Sequence, residues 1–499
     1  MHARKPPPSY RTQRCRKGPS DMRRAVLTTL LITAALVLPS NAAADPPDFA
    51  QNPGNTEPDA ALLSDTVLDR SALYFVSYDG IVNNNSFQQD AVRTYAGYQY
   101  AAWYTDSRNA VVARRSLHGN GGWETATLPH ELSVNDSHNV ISLGVSPEDG
   151  RLHVAMDTHN SRIHYVRSIE GLVSRPAAHP WNSGMFGEIR RTLGDEELGA
   201  MTYPRFIVTP RGKLQFSYRT GGSGDGVNEL AEYANGAWDK LGGWTSATGA
   251  WTAPNGAVSN TRNMYLHGLT YDDNGRLHAT FTWREGNRSV LCDPGGLTNH
   301  DTGYVYSDDQ GRTWRNGAGE TVGVTGRDPV AVDSPGIVAD PLGPNHGLMN
   351  QESQAVDSTD TPHAVISYVP GRFTQCVTDY SEQRTEHGRT FHLVRGDDGD
   401  WTKREVPVPP NSTQRTQLVF DQDDNAYLVM PKGKIVAASA ASDWTDWTVV
   451  FDRPDMNAFG EVNVDTSRLA ADGVLSVLYQ EASTGTSPSP IHVADFRLG

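Results

Sequence analysis

The sequence predicts an all-β protein, a seven-bladed β-propeller of four-stranded antiparallel blades, and three observations carry that expectation. Two runs are near copies: Gly150-Arg151-Leu152-His153 opens an alternating stretch that ends at Asp157-Thr158-His159, and Gly275-Arg276-Leu277-His278 opens another that ends at Trp283-Arg284-Glu285. Weaker relatives recur at a spacing of roughly 40 to 60 residues, the period of propeller blades rather than of one closed core. Short runs of period-two hydrophobicity are bounded throughout by Gly, Asn, Asp and Pro, the strand-and-turn signature, and no comparable helical period follows residue 44.

Taken in order, the second strands of the units are expected to start near Tyr98, Leu152, Leu214, Leu277, His363, Ala426 and Val474. The third unit displays the four-strand plan. Tyr203-Pro-Arg-Phe-Ile-Val is followed by a Pro-Arg-Gly turn, Lys213-Leu-Gln-Phe-Ser-Tyr, a Gly-rich turn, Leu230-Ala-Glu-Tyr, an Asn235-Gly236 turn and a last strand from Trp238. The widest gap lies between Leu277 and His363, so an insertion over residues 315–344 is expected to wall one end of a cleft. Within the fourth unit, Ser307-Asp-Asp-Gln-Gly-Arg-Thr-Trp314 matches the S-x-D-x-G-x-x-W Asp-box of sialidase-like blades. Its role is local: Ser307 and Asp309 bond turn backbone groups and Trp314 packs between sheets.

Composition agrees with one large β domain over residues 45–499. Hydrophobic residues make up 37% and aromatics 9%, and 47 Gly and 30 Pro supply many tight turns, which excludes a disordered chain. Residues 1–44 are expected to be an export presequence, with a start at Met22 as an alternative: Arg23-Arg24 precede the apolar run from Ala25 to Leu38, and Ala42-Ala43-Ala44 supplies small residues for cleavage. That run is too short to span a bilayer, so a secreted protein without a membrane anchor is expected. Removing the presequence moves the formal charge from -15 to about -22, which disfavours nucleic acid as a partner. Cys15 leaves with it. Cys292 and Cys376 remain, either as a disulfide, or, with His300 and His387, as ligands of a structural zinc site, or as free thiols.

Chemistry in a propeller is sought where the innermost strands converge on the mouth of the central channel. The segments ahead of the second strands are unusually polar: Asn135-Asp-Ser-His138-Asn139, Met201-Thr-Tyr203-Pro204-Arg205, Arg262-Asn-Met-Tyr265-Leu-His267, Asn350-Gln351-Glu352 and Gln414-Arg415-Thr416. The ends of three second strands repeat the pattern with His159, Arg219 and Arg284. Arginines grip a carboxylate bidentately and aromatic faces stack on sugars, so the set suits an acidic, ring-shaped ligand. Each residue also has a structural reading. His153 and His278 lie inside the strand alternation and are expected to be packed; Tyr203 could open a strand and Arg219 could pair with Asp225.

His138-Asn139, His159, Thr202-Tyr203-Pro204, Tyr218-Arg219-x-Gly-x-Ser-Gly224, Arg262-Asn-x-Tyr265-x-His267, Trp283-Arg284-Glu285 and Asn299-His-Asp301, followed by the Asp-box, resemble the BNR-repeat proteins that include the seven-bladed ulvan lyases and rhamnose-glucuronate lyases. The likeness runs from about Asp90 to Glu320. It implies β-elimination at a 4-linked uronic acid of an anionic polysaccharide, which needs a neutralised carboxylate, a base at C5 and an acid at the departing O4. By that resemblance His138 and Tyr203 are the base and acid pair in either order, Arg219 is the carboxylate neutraliser, and His159 stands beside them. Tyr265, His267, Arg262, Arg284 and Gln351 are the expected substrate contacts. No catalytic cofactor is implied; zinc or calcium would be structural, and a monomer is expected because a closed ring leaves no free sheet edge. Two rival readings are a sialidase-like glycoside hydrolase and a non-catalytic carbohydrate-binding propeller. The openings are poor in acids, Glu352 being the main exception, whereas hydrolysis normally uses two carboxyl groups.

Overall fold

The computed structural model describes residues 57–86, 90–119, 121–293, 295–371, 376 and 378–499. The predicted presequence, with Cys15, lies outside them. The protein is an all-β propeller, and every pairing between its named strands is antiparallel. Among the described residues the strands fall into seven sheets; four of these have four strands, and the others have three, five and seven. The uniform four-strand plan is therefore corrected in three places. The sheet of Ser142–Ser146, Arg151–Met156 and His164–Arg167 stops at three strands, the next gains Ser161–Arg162 at its inner edge, and the seven-stranded one carries the insertion.

All seven predicted starts fall within one residue of a strand start: Tyr98–Tyr104, Arg151–Met156, Leu214–Gly222, Leu277–Glu285, Pro362–Tyr368, Ala426–Val429 and Val474–Gln480, second in their sheets except Leu214–Gly222 and Leu277–Glu285, which an added edge strand makes third. Their alternating side chains are buried on both faces because each sheet is sandwiched between two others. The core is accordingly a series of inter-sheet layers rather than one centre. In one layer Tyr100, Ala102 and Val112 pack against Leu143, Leu152 and Val154; in another Tyr427, Val429 and Ile435 pack against Leu475, Val477 and Tyr479. The first strands of successive sheets approach one another, Ser142–Ser146 lying by Val92–Tyr95 and Ala200–Val208, and Ser353–Val356 lying by Val258–Tyr271 and Gln417–Phe420.

Ring closure uses both ends of the described chain. Strand Ala60–Ala72 pairs with Ser489–Leu498, from Ala60 opposite Leu498 to Ala72 opposite Ser489. The closing sheet then packs Leu478, Ile491 and Val493 onto Val92, Trp103 and Val111.

The Asp-box does what its pattern predicts. Asp309 Oδ1 accepts from Thr313 N at 2.7 Å and Ser307 Oγ accepts from Gly311 N at 2.8 Å, while Trp314 stacks on Trp244 with ring centroids 4.0 Å apart. The insertion does not wall a cleft. Thr321–Val324 pairs with Thr313–Arg315 and Val338–Asp340 pairs with Asn299–Ser307, so backbone pairing spends it on the sheet's outer edge. Two short α-helices among the described residues, Tyr380–His387 and Thr466–Asp472, were not anticipated; at about two turns each they are too short to print a helical period.

Candidate active site

A cleft of about 390 Å³ is lined by residues from separate sheets and loops, among them His138, His159, Tyr203, Arg219, Tyr265 and Arg284. Six predicted residues thus meet in one place. Asp79, Asn160, Ser223, Asn350, Thr413, Gln414, Arg415 and Glu461 complete the polar wall, and Tyr78 and Tyr380 offer aromatic rings at its edge.

The imidazoles are organised by a carboxylate that the sequence reading quoted without giving it a role. Asp136 Oδ1 accepts from His138 Nδ1 at 2.7 Å and from His138 N at 2.9 Å, and its Oδ2 accepts from His159 Nδ1 at 2.6 Å. The two rings stack, with centroids 4.3 Å apart. A carboxylate only accepts, so both Nδ1 atoms carry hydrogen and Nε2 is the basic nitrogen left on His138. Burial pulls the His138 imidazole below its ordinary value despite Asp136. The Asp136 carboxyl is held far below the usual range, because the two histidine bonds outweigh its burial. An Asp two residues before a His is an Asx-turn signal, the one clue in the sequence that pointed to this arrangement.

Tyr203 is placed by a bulge. The register of Ala200–Val208 against Leu214–Gly222 slips between Thr202 and Arg205, and Tyr203 takes φ +61°, an uncommon conformation for an aromatic residue. The bulge re-aims the ring to within 6.0 Å of the His138 centroid and 6.0 Å of the Tyr265 centroid. Burial drives the Tyr203 phenol well above its ordinary value, and the neighbouring Tyr265 adds to the effect. It remains a protonated donor.

Arg219 lies within strand Leu214–Gly222 under this pair, 2% exposed, with its guanidinium carbon 4.8 Å from the Tyr203 ring centroid. It donates from Nη2 to Asn160 Oδ1 at 3.1 Å and to Thr202 Oγ1 at 3.2 Å, and from Nη1 to Tyr265 Oη at 3.4 Å. All of these partners are neutral, and Asp225, the alternative partner weighed from sequence, is not among them. Arg284 is similar: it donates to Asn299 and Asn350 side chains at 2.8 Å each, and lies 4.7 Å over the Tyr265 ring. Two guanidiniums held mainly by neutral groups form a receptor for an anion. Arg415, by contrast, is already paired with Glu461 at 2.8 Å. Burial pushes the Tyr265 phenol up, but Arg284 and Arg219 outweigh it and bring it down to about 8.

The turn between Leu214–Gly222 and Asp225–Ala234 explains its glycines. Ser223 Oγ reaches Tyr265 Oη at 3.2 Å, and at Gly224, φ +77°, a Cβ would lie 2.7 Å from Gly286 Cα of the next sheet.

Three expected substrate contacts are not on the cleft wall. Arg262 stands opposite Glu285 in the strand register, and the pair is fully buried, with Nε 2.8 Å from Glu285 Oε1 and His300 Nε2 3.0 Å from the same oxygen. Glu285→Ala is expected to cost about 3–5 kcal/mol by leaving Arg262 buried without its counter-charge, as measured by denaturant unfolding. His267 is also buried; the bulge between Leu266 and Gly268 breaks the alternation that would have kept it with Tyr265, and its Nδ1 accepts from Glu352 N at 3.1 Å. Gln351 is buried at φ +58°, its Oε1 accepting from Asn350 Nδ2. Glu352 is enclosed as well, bonded by Ser367 Oγ at 2.7 Å, and burial raises its carboxyl to about 7. His153 and His278 are packed as expected, each bonded to a tyrosine hydroxyl.

The zinc reading of Cys292, Cys376, His300 and His387 is corrected. Cys292 and Cys376 form a disulfide with their Cα atoms 5.2 Å apart, which removes both thiolates. His300 is engaged with Glu285 and Asp301, and neither His300 nor His387 belongs to a group of three or more candidate metal ligands among the described residues.

Residues 98–408 match the profile described as BNR repeat-containing family member. The chain is 26% identical over 385 residues to the short isoform of an ulvan lyase from Alteromonas sp. (strain LOR), covering 64% of this chain and 70% of that protein. Against the long isoform from the same organism the identity is 26% over 294 residues, 51% of this chain and 29% of that protein. The fold is similar to the crystal structure of polysaccharide lyase Uly1, with a TM-score of 0.66 at 17% identity over 87% of this chain and 99% of that one. It is also similar to a PL25 ulvan lyase bound to -[GlcA(1-4)Rha3S]-, with a TM-score of 0.57 at 11% identity over 86% and 94%. The profile spans well over half of the chain and takes in most of the blades and the cleft residues from His138 to Asn350: the protein belongs to the BNR repeat-containing family.

Proposed function

We propose that the protein is a polysaccharide lyase that cleaves a 4-linked uronic acid in an ulvan-type rhamnose-glucuronate or rhamnose-iduronate polymer by β-elimination. The observation that carries this reading is the pair of guanidiniums, Arg219 and Arg284, poised without a carboxylate beside a neutral imidazole and a protonated phenol. The similarity to ulvan lyases supports the substrate class.

In the proposed step the uronate carboxylate enters against Arg219 and Asn160, which withdraws charge and acidifies the C5 proton. His138, its Nδ1–H fixed by Asp136, accepts that proton at Nε2. Tyr203 donates its phenolic proton to O4 as the glycosidic bond breaks, leaving a C4–C5 double bond conjugated with the carboxylate. His159 shares Asp136 and buttresses the His138 ring, while Arg284, Tyr265, Tyr78 and Tyr380 border the neighbouring sugars. Arg262, His267 and Gln351 support the wall from behind. The hydrolase reading loses ground because Glu461, one of the few acids on the cleft wall, is tied to Arg415.

The seven sheets are read as seven blades. The proposal further includes export by the presequence and a monomeric enzyme acting on an extracellular polymer; no helix among the described residues is long and apolar enough to cross a membrane.

Carboxyl-reduced ulvan, in which each uronate is converted to the neutral sugar, tests the reading. It should be neither cleaved nor bound with comparable affinity, and turnover equal to that of the native polymer would contradict the assignment of Arg219. The pH dependence follows from Tyr265. Below about 8 its phenol is neutral and both arginines are available; above it the phenolate competes with the substrate carboxylate for them. KM is therefore expected to rise above pH 8 with kcat little changed, and Tyr265→Phe should remove that rise.

A further inference from the structure

A second cluster lies on the far side of the segment that carries His159. We propose that His130, Asp157 and His164 form a divalent-cation site that takes zinc, distinct from the cleft. His130 belongs to Glu124–Glu131, Asp157 follows Arg151–Met156, and His164 begins His164–Arg167. One ligand atom from each lies within 4.8 Å of the others. His130 Nε2 is 3.0 Å and His164 Nδ1 3.9 Å from Asp157 Oδ2, and the imidazole centroids are 4.3 Å apart. Ligands about 2.0–2.2 Å from a tetrahedral zinc stand about 3.3 Å from each other, inside this range, so small side-chain adjustments close the site.

The carboxylate is already oriented. Asp157 receives Ser133 N on Oδ2 and Ser133 Oγ on Oδ1, both at 2.9 Å, the outer bonds that steady a metal-binding carboxylate. Asp157 itself takes φ +50°, a conformation uncommon outside glycine, which turns its side chain back toward the histidines. The imidazoles are 10% and 13% exposed, enough for an ion and one water to reach them. In the metal-free arrangement His130 Nε2 donates to Asp157 Oδ2 and His164 Nδ1 donates to Asp157 O at 3.1 Å, and the cation takes the place of both hydrogens. Arg191 contacts His164 Nε2 and is exposed; with zinc on Nδ1 it turns out into solvent, and its positive charge is the term opposing the ion.

Two residues after Asp157 stands His159, joined through the buried Thr158, whose Oγ1 donates to Met156 O at 2.7 Å. An ion at Asp157 therefore pins the segment from which His159 reaches the cleft, whatever reaction occurs there.

The test is calorimetric titration of chelator-treated protein with zinc chloride, paired with thermal unfolding. One equivalent should bind and raise Tm; His130→Ala and His164→Ala should each weaken binding at least tenfold and abolish the rise, and Arg191→Ala should tighten binding. Both histidine variants should unfold cooperatively near the Tm of the chelator-treated wild type, which separates loss of a ligand from loss of the fold. No binding by the wild-type protein would overturn the proposal. So would zinc that survives both variants but is lost in His138→Ala, which would place it on the imidazoles of the cleft.

Discussion

Tyr203→Phe is expected to lower kcat about 10²- to 10⁴-fold, the range for loss of one positioned proton carrier. The ring is enclosed by His138, Tyr265 and Arg219, so removing one oxygen leaves the packing and the arginines in place while deleting the proton for O4. Uncleaved polymer should still bind with similar affinity. His138→Ala should cost a comparable factor by removing the acceptor for the C5 proton, and the double variant should be little worse than either single one, because the two groups serve one concerted event. Initial rates at saturating polymer, with binding measured calorimetrically, check both. Rates close to wild type in either single variant would remove that residue from the mechanism.

Arg219→Ala is expected to lower kcat/KM by about 10²- to 10³-fold, as for loss of a donor aimed at developing charge, and to affect KM as well as kcat. The guanidinium meets the carboxylate in the ground state and holds more negative charge as C5 loses its proton, so both parameters depend on it. Arg219→Lys should recover only part of the loss: a point charge cannot reproduce the fork that engages Asn160, Thr202 and Tyr265 together. Arg284→Ala should act mainly on KM, since its guanidinium lies over Tyr265 and borders the cleft farther from His138.

The repeat was legible because hairpin turns and period-two strands are local, and the second-strand starts from Tyr98 to Val474 follow from them. His138, Tyr203 and Arg219 were legible because their polar motifs stand out beside the apolar alternation of successive units, although pairing places Tyr203 and Arg219 inside strands Ala200–Val208 and Leu214–Gly222 and leaves His138 in a loop. The misassignments have a common physical origin. Arg262 faces Glu285 across a register that only the paired sheet defines, and a bulge at Leu266 breaks the alternation by which Tyr265 and His267 would share a face. Tyr78 and Glu461 could not be read at all. They come from opposite ends of the described chain and reach one cleft only because Ala60–Ala72 pairs with Ser489–Leu498 to close the ring. The cysteine pair had two chemically sensible outcomes, and spacing alone did not choose between disulfide and metal.

Incubation of the mature protein with ulvan, followed at near-ultraviolet wavelengths, tests the central claim most directly. β-elimination puts a double bond in conjugation with the uronate carboxylate, so absorbance should rise in step with new reducing ends, and Tyr203→Phe should suppress both together. Reducing ends that accumulate without absorbance would mean that water, not elimination, breaks the bond, and would contradict the account.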